Sequence, residues 1–180
     1  MLIRPIELRD CEDLGLVTVT ASRSAFIGNV PEDTIDFSWT PAVSAANWKR
    51  DVWGADAGSD MRFFVAEDDG RVVGFVWDSP GADTPGFEWS VRALYVRPTR
   101  QGQGIGRMLL AHVCGILVSE GISSLEIGCV KENPNCAFYR HLGGAEVGRR
   151  PAAQDDYETE EILFGWRDLT RLLAGSNRSA

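Results

Sequence analysis

The amino-acid sequence predicts an α/β domain with a mixed β-sheet of six to seven strands and about four flanking helices. The first observation is the order of the elements: a strand, helices, three strands, a helix, a strand, a helix and two strands. The second is a hairpin signal at 68–71, which indicates antiparallel neighbours. The third is a helix between two strands, 88–96 and 125–130, which is typical of a parallel crossover. A sheet with both kinds of pair is mixed rather than fully parallel.

Local patterns justify each element in turn. Short apolar runs bounded by Gly, Pro or Asp indicate the strands, and apolar residues at helical spacing, as from Ile105 to Ile116, indicate the helices. Thr40 and Pro41 form a typical helix start, and Gly121 ends the helix that begins at Ile105. Strands are predicted at 2–5, 61–67, 72–77, 88–96, 125–130, 145–150 and 160–166, and helices are predicted to begin near residues 11, 41, 105 and 134.

Length and composition indicate a single globular domain. The chain has 180 residues, of which 44% are hydrophobic, and this is enough for one sizeable core. No internal repeat or linker divides it, so residues 1–174 are assigned to one domain and 175–180 to a disordered tail. No apolar run approaches the length needed to cross a bilayer, and the N-terminus lacks a signal-peptide pattern, so no membrane association is expected.

The net charge and the cysteine pattern limit which binding partners and which cellular compartment are expected for this chain. A formal net charge of −8 argues against general nucleic-acid binding. The four cysteines form no Cys-x-x-Cys pair, and only His112 and His141 could join them around a metal. Buried, reduced thiols are the better interpretation, which predicts a cytoplasmic protein without a structural metal.

The segment from 94 to 110 carries the most information about function. An apolar strand runs into Pro98, then into a loop with Gly102, Gly104 and Gly106, then into a helix. Unpaired backbone N–H groups and the positive end of the helix dipole would surround an anion there. The glycines would let that anion approach the main chain. The predicted ligand is therefore a phosphate or pyrophosphate.

The glycine spacing excludes two common phosphate motifs. A P-loop requires a Gly-Lys pair, which the chain lacks, and a dinucleotide fingerprint requires a glycine at 107 or 109, where Arg and Leu stand. The spacing that does occur is Gln-x-x-Gly-x-Gly, formed by Gln101, Gly104 and Gly106, and Leu-Tyr-Val-Arg-Pro precedes it at 94–98. This pattern resembles the coenzyme A loop of the GNAT superfamily of N-acetyltransferases.

The resemblance implies the acyl-CoA N-acyltransferase fold of that family, with acetyl-CoA as the co-substrate and a primary amine of a small molecule or peptide as the acceptor. Acetyl transfer would then proceed by direct attack. The family also contains many homodimers, and the sequence defines no interface. The resemblance assigns cofactor binding to Leu94, Tyr95, Val96, Gln101, Gly102, Gln103, Gly104, Ile105, Gly106, Arg107 and Asn133.

A second motif lies at 131–144 and resembles the family segment Asn-Pro-x-x-x-Phe-Tyr-x-x-Leu-Gly-Gly. On that resemblance Asn133 steadies the pantetheine arm and the hydroxyl of Tyr139 lies near the thioester sulfur. Tyr139 is then the expected general acid for the departing thiolate. Without the family, Asn133 and Pro134 form a helix-entry signal, and Tyr139 would be ordinary helix packing.

The general base is less well defined. Glu88 lies on the strand that ends at Val96 and is assigned as the catalytic base. Family members with a glutamate on this strand usually carry it nearer position 90, which is Ser90 here. Glu126 on the next strand is a second candidate, and an ordered water is a third.

The acceptor side and the arginines near the loop leave alternatives open. The acceptor side is expected to involve 22–53 and the strands near 154–157. This region contains an acidic cluster: Asp155, Asp156, Glu158, Glu160 and Glu161. The cluster either attracts a polyamine or aminoglycoside acceptor or forms a solvated hairpin, and a peptide N-terminus or a small amino acid would also fit as the acceptor.

Three arginines surround the glycine loop: Arg97, Arg100 and Arg107. They either pair with phosphates of the ligand or form a solvated basic rim.

Two rival functions remain for this sequence. A catalytically inactive acyl-CoA sensor or regulatory subunit would keep the loop but show no thioester turnover. Ser90, in place of the glutamate, and Gly144, where many relatives have an aromatic residue, favour this rival. A nucleotide-dependent oxidoreductase would bind NAD, and the glycine spacing argues against it.

Overall fold

The structure, a computed structural model, describes residues 1–29, 40–54, 61–154 and 157–176. Within these ranges the chain forms seven β-strands and five α-helices. The strands are β1 (Leu2–Pro5), β2 (Arg62–Asp68), β3 (Arg71–Pro80), β4 (Trp89–Val96), β5 (Leu125–Val130), β6 (Ala145–Gln154) and β7 (Tyr157–Trp166). The helices are α1 (Cys11–Phe26), α2 (Pro41–Trp53), α3 (Ile105–Ser119), α4 (Cys136–His141) and α5 (Leu169–Ser176).

All seven strands join one sheet in the order β1-β2-β3-β4-β5-β7-β6. Neighbouring strands of the described ranges are antiparallel apart from β4 and β5, which run parallel because α3 carries the chain across the sheet between them. The mixed sheet predicted from the sequence is thereby confirmed.

Helices cover both faces of the sheet. On one face α3 and α5 bury Leu109 and Leu169 in a core that also contains Phe164 of β7. On the other face α1 buries Leu14 against β2 and β3. α2 crosses α1 at Gly15, where an added Cβ would lie 2.2 Å from the carbonyl oxygen of Pro41. Glycine is therefore required for this close helix crossing.

The second helix is held on the sheet by an aromatic cluster. It begins as predicted, since the side chain of Thr40 accepts a hydrogen bond from Val43 N at 3.3 Å. The ring of Trp48 meets that of Phe75 edge-on at a centroid distance of 5.1 Å. Its Nε1 donates to Oγ1 of Thr18 at 2.9 Å. These contacts position α2 beside the cleft described below.

The largest differences from the sequence prediction concern β6 and α5. β6 continues past Pro151, which had indicated its end, because an edge strand is paired on one side only and tolerates proline. α5 was not predicted, although Asp168 accepts a hydrogen bond from Thr170 N at 3.1 Å and Leu172 is buried. The predicted tail 175–180 thus begins within α5, and residues 177–180 lie outside the described ranges.

None of these helices combines the length and apolarity that crossing a membrane would require, as far as the chain is described. The four cysteines are free thiols, and each is buried: Cys11, Cys114, Cys129 and Cys136.

Candidate active site

A cleft opens between β4 and β5 because these strands pair over only part of their length. Trp89, Ser90 and Val91 pair with 125–127, and among the described residues this pairing stops at Val91. On its other side β4 stays paired to β3 as far as Val96. Beyond Val91 the edge of β4 that faces β5 therefore has no partner strand in the described part of the chain, and its backbone N–H and C=O groups are outside the sheet ladder. Such an edge can hold an extended ligand by main-chain hydrogen bonds.

A β-bulge at Arg92 accounts for this divergence. The register between β3 and β4 shifts there, so that Arg92 is an extra residue in β4. A bulge bends its strand and increases the twist, which turns β4 away from β5. The guanidinium of Arg92 donates to Oγ of Ser79 at 2.9 Å and to the carbonyl of Gly81 at 2.8 Å, so it is anchored to the end of β3.

The loop after β4 leads into α3 through two residues in the left-handed region. Gly102 has a φ of +73° and Gly104 a φ of +79°, and a Cβ at either position would meet nothing within 4 Å. Gly104 is the N-cap of α3, and its carbonyl accepts the first helical hydrogen bond from Met108 N at 3.0 Å. The backbone N–H groups of 105–107 therefore have no helical acceptor and point out of the helix start. This is the geometry of an anion site.

Side chains of the loop tie it to its surroundings. Nε2 of Gln101 donates to the carbonyl of Val96 at 3.0 Å, which joins the loop to the end of β4. Gln103 stays within the loop, where its Oε1 accepts from Nε of Arg100 at 3.1 Å. Ile105 is 2% exposed and anchors the helix start in the core. These contacts fix the conformation of the loop.

α3 and α4 approach each other closely at the loop. A Cβ on Gly106 would lie 3.4 Å from Cζ of Phe138 and 3.8 Å from Cγ2 of Val96. The third glycine of the motif therefore faces β4 and α4 at ordinary van der Waals distances, whereas Gly102 and Gly104 leave open space for a ligand.

The three arginines near the loop have different partners. Arg97 donates to Oδ1 of Asp13 at 2.7 Å, and Arg100 donates to Oδ2 of Asp68 at 2.5 Å. Both charges are therefore committed within the protein. Nε is buried without a hydrogen-bond partner in both Arg97 and Arg107, as far as the chain is described. Arg107 forms no ion pair with the described residues, so of the three guanidinium groups it is the one whose charge is not committed within the protein.

Tyr139 lies at the centre of the cleft. It lines two adjoining cavities of about 240 and 290 Å³, which share Leu94, Val96, Gln101 and Asn135 as walls. The smaller extends towards α1 and β7, and the larger lies against the glycine loop. Burial raises the pKa of Tyr139 well above its ordinary value of 10.0. The phenol therefore stays protonated at neutral pH and can donate a proton into the cleft.

Asn133 and Tyr95 also line the smaller cavity. Oδ1 of Asn133 accepts a hydrogen bond from the backbone N–H of Asn135 at 2.9 Å, which shapes the turn before α4. Burial raises the pKa of Tyr95, whose hydroxyl is hydrogen-bonded to Ser22 of α1. Leu94 and Val96 pack towards α3, and Tyr95 packs towards α1.

The structure does not bring the two expected bases to this cleft. Glu88 precedes β4, at the opposite end from the loop, and its carboxylate accepts from Ser123 N at 3.0 Å and from the hydroxyls of Ser123 and Ser124. These hydrogen bonds, led by the one from Ser123 N, lower the pKa of Glu88. Glu126 is 1% exposed and accepts from the backbone N–H groups of Asp83 and Thr84. Both carboxylates hold loops in place.

One carboxylate of the acidic cluster does line the smaller cavity, and sequence reasoning had not singled it out. It belongs to Glu161 on β7, which lies opposite Val130 of β5. The neighbouring Glu160 faces Arg149 instead, with Oε2 3.5 Å from Nη1. Asp155 and Asp156 lie outside the described residues. The available signal was Gly128, because a glycine inside a strand often marks a close approach.

Comparison with known proteins gives consistent matches. The model of the acetyltransferase (GNAT) family matches residues 30–143, which include the loop, both cleft strands and α4. The uncharacterized N-acetyltransferase YuaI of Bacillus subtilis is 30% identical over 185 residues, covering 98% of each chain. The N-alpha-acetyltransferase RimI of Mycobacterium tuberculosis is 32% identical over 125 residues, which cover 69% of this chain and 68% of that protein.

A solved structure shares the fold. The PaiA N-acetyltransferase of Thermoplasma acidophilum, in complex with coenzyme A, superposes with a TM-score of 0.67 at 18% identity. The match covers 92% of this chain and 98% of that one. The two proteins therefore share a fold, and that structure was solved with coenzyme A bound.

Proposed function

The chain belongs to the acetyltransferase (GNAT) family, and from that membership we propose that it transfers an acetyl group from acetyl-CoA to a primary amine of a small molecule or peptide. The observation that carries the proposal is the cleft itself. It joins an anion-binding helix start to a buried, protonated tyrosine through a strand edge with unpaired backbone groups.

The residues present fit acetyl-CoA. Gly102 and Gly104 leave open space beside the backbone N–H groups of 105–107, as a pyrophosphate requires. The free edge of 94–96 would hold the pantetheine arm, and Asn133 at the cavity wall would steady it. Arg107 would supply charge to a phosphate.

The chemistry makes two demands on the protein. An alkylamine has a pKa of about 10.4, so holding it neutral at pH 7 costs about 4 to 5 kcal/mol. Acetyl-CoA supplies an activated acyl group, and its thiolate needs a proton when it leaves. We assign that proton to the hydroxyl of Tyr139, whose raised pKa keeps it protonated. The unpaired N–H groups of β4 can stabilise negative charge on the thioester oxygen.

The test is a thermal-unfolding shift with acetyl-CoA, coenzyme A and NAD on wild type, Gly104→Asp and Gly121→Asp. Both glycines have positive φ, at +79° and +81°, with no atom within 4 Å of an added Cβ, so both variants carry the same backbone strain. Only position 104 places the new carboxylate at the anion site. A ligand at 100 times its Kd stabilises the fold by about 2.7 kcal/mol.

The expected result is a shift with both coenzyme A forms, lost in Gly104→Asp and kept in Gly121→Asp, and none with NAD. The thermal shift is then followed by thiol release with a panel of amines. A protein that binds acetyl-CoA but acetylates no acceptor would be the sensor of the rival interpretation. No shift with any coenzyme A form would contradict both interpretations.

A further inference from the structure

The cleft contains a carboxylate to which no role has been given. Glu161 and Tyr139 both line the smaller cavity. Among the described residues that line it, Glu161 is the one with an acidic side chain. Its side chain is 23% exposed, so it is partly shielded while remaining open to the cavity. It lies on β7, on the same face of the sheet as Val130 and Gly128.

The backbone makes room for this carboxylate. A Cβ on Gly128 would lie 2.7 Å from Oε2 of Glu161 and 3.3 Å from Nη2 of Arg150. Any larger residue in the middle of β5 would therefore displace the Glu161 side chain. A glycine inside a strand weakens that strand, so its presence here is accounted for by this close approach.

Arg150 fixes the direction of the carboxylate. Its Nε and Nη2 lie 2.6 and 2.5 Å from Oε2 of Glu161, and neither contact uses Oε1. Arg150 also donates to Asp83, whose Oδ2 is 3.6 Å from Nη1 of Arg92. Two arginines and two carboxylates thus form one network, which holds Glu161 in a single position at the cavity wall.

We propose that Glu161 contacts the reacting amine of the acceptor and takes its proton during acetyl transfer. This inference rests on the proposed function and adds the residue that acts as the base. α1 and the end of β4 line the same cavity, through Ser22 and Tyr95. An acceptor in this cavity would have Glu161 in the cavity wall and the thioester at the edge of β4 that has no partner strand among those described.

Acetyl transfer replaces the C–S bond of the thioester with a C–N bond to the acceptor. The nitrogen lone pair forms a bond to the thioester carbonyl carbon, and the C–S bond breaks with its electron pair on sulfur. The nitrogen becomes positively charged as the bond forms, which makes its proton far more acidic than that of the free ammonium. That proton passes to the Glu161 carboxylate and then to solvent. The sulfur receives the proton of the Tyr139 hydroxyl, which solvent replaces.

The charges that face Glu161 suit this role. Arg150 approaches from β6, while the hydroxyl of Tyr95 from β4 and the thiol of Cys129 from β5 lie within its electrostatic reach. The nearest cation is therefore already paired at Oε2. An ionised carboxylate beside developing positive charge stabilises the transition state without reorganisation.

The test compares Glu161→Gln with Glu161→Asp and with the matched control Glu160→Gln. Glu160 is the adjacent residue, is also paired to an arginine, and points to the other side of β7. The probes are spermidine, L-2,4-diaminobutyrate and a peptide with an N-terminal alanine, and thiol release is measured at saturating acetyl-CoA. A second readout is the Kd of the best amine on the protein saturated with coenzyme A.

The expected result is a fall in kcat of about 100-fold for Glu161→Gln, partial recovery in Glu161→Asp, and Glu160→Gln within about twofold of wild type. The acetyl-CoA thermal shift stays unchanged in all three, which also shows that they fold. The Kd of the amine rises about 10-fold in Glu161→Gln alone.

Two outcomes would overturn the inference while the proposed function stands. Glu161→Gln could keep kcat within about threefold of wild type. It could also lose the acetyl-CoA shift, which would make the role of Glu161 structural. A wild-type protein that fails to bind acetyl-CoA, or that binds it and releases no thiol with any amine, would instead contradict the proposed function, so the two failures are distinguishable.

Discussion

The two sides of the cleft are built in different ways. The proposed cofactor side is formed mainly by one contiguous segment, 94–107, and most of the groups expected to bind the cofactor belong to the backbone. The acceptor side is assembled from α1, β4, β5 and β7, with Arg150 of β6 behind it, so its parts come from opposite ends of the chain. A local segment can be identified by spacing alone, whereas a composite wall depends on the register of distant strands.

Tyr139 borders both sides, so its removal should have the largest effect. Tyr139→Phe is expected to lower kcat by about 100-fold or more, because the leaving thiolate loses its proton donor. Acetyl-CoA binding should persist, since the ring still packs 5.5 Å from that of Phe164. The measurement is kcat against pH with a paired thermal shift. A variant with more than a third of wild-type kcat would remove Tyr139 from the mechanism.

The pH dependence of the wild type gives a second prediction for Tyr139. Because burial raises the pKa of Tyr139, its hydroxyl stays protonated through neutral pH, and wild-type kcat should show no fall from its ionisation between pH 7 and 9.

Gly128→Ala tests the acceptor side without replacing any polar side chain. The new Cβ must displace the carboxylate of Glu161, so amine turnover should fall by about 10- to 100-fold while acetyl-CoA binding is kept. Gly148→Ala on β6 is the control, since its Cβ would meet Leu163 at an ordinary 3.4 Å. Equal turnover in the two variants would show that the position of Glu161 does not matter.

Arg107→Gln tests the cofactor side and should have the smallest effect. Loss of one half-buried charge near the phosphates is expected to cost about 1 kcal/mol, roughly fivefold in the Kd of acetyl-CoA. Arg149→Gln removes the same charge from an exposed site on β6 and should leave Kd unchanged. Calorimetry at low and high salt is the measurement, because screening should shrink the difference. Identical Kd values for both variants would place the phosphates elsewhere.

The conformation of the glycine loop could be predicted because its physical requirements appear in the local sequence. Positive φ at Gly102 and Gly104 needs glycine, and the order of strand, loop and helix determines where an anion would bind. Glu88 illustrates the limit of such reasoning. Strand alternation gives the face of a residue, but it does not tell where β4 stops pairing with β5, and Glu88 lies at the paired end.

Glu161 could not be found in that way, since its place depends on the register of β5 with β7, more than 30 residues apart along the chain. The sequence shows the carboxylate only as one member of an acidic run. Its pairing with Arg150 and its approach to Gly128 appear once the sheet is assembled.

The most direct test of this account is the acetyl-CoA thermal shift of Gly104→Asp and Glu161→Gln, measured side by side with wild type. We predict that wild type and Glu161→Gln shift equally and that Gly104→Asp does not shift, because the two sides of the cleft act separately. No shift in wild type, or an equal loss in both variants, would contradict the account.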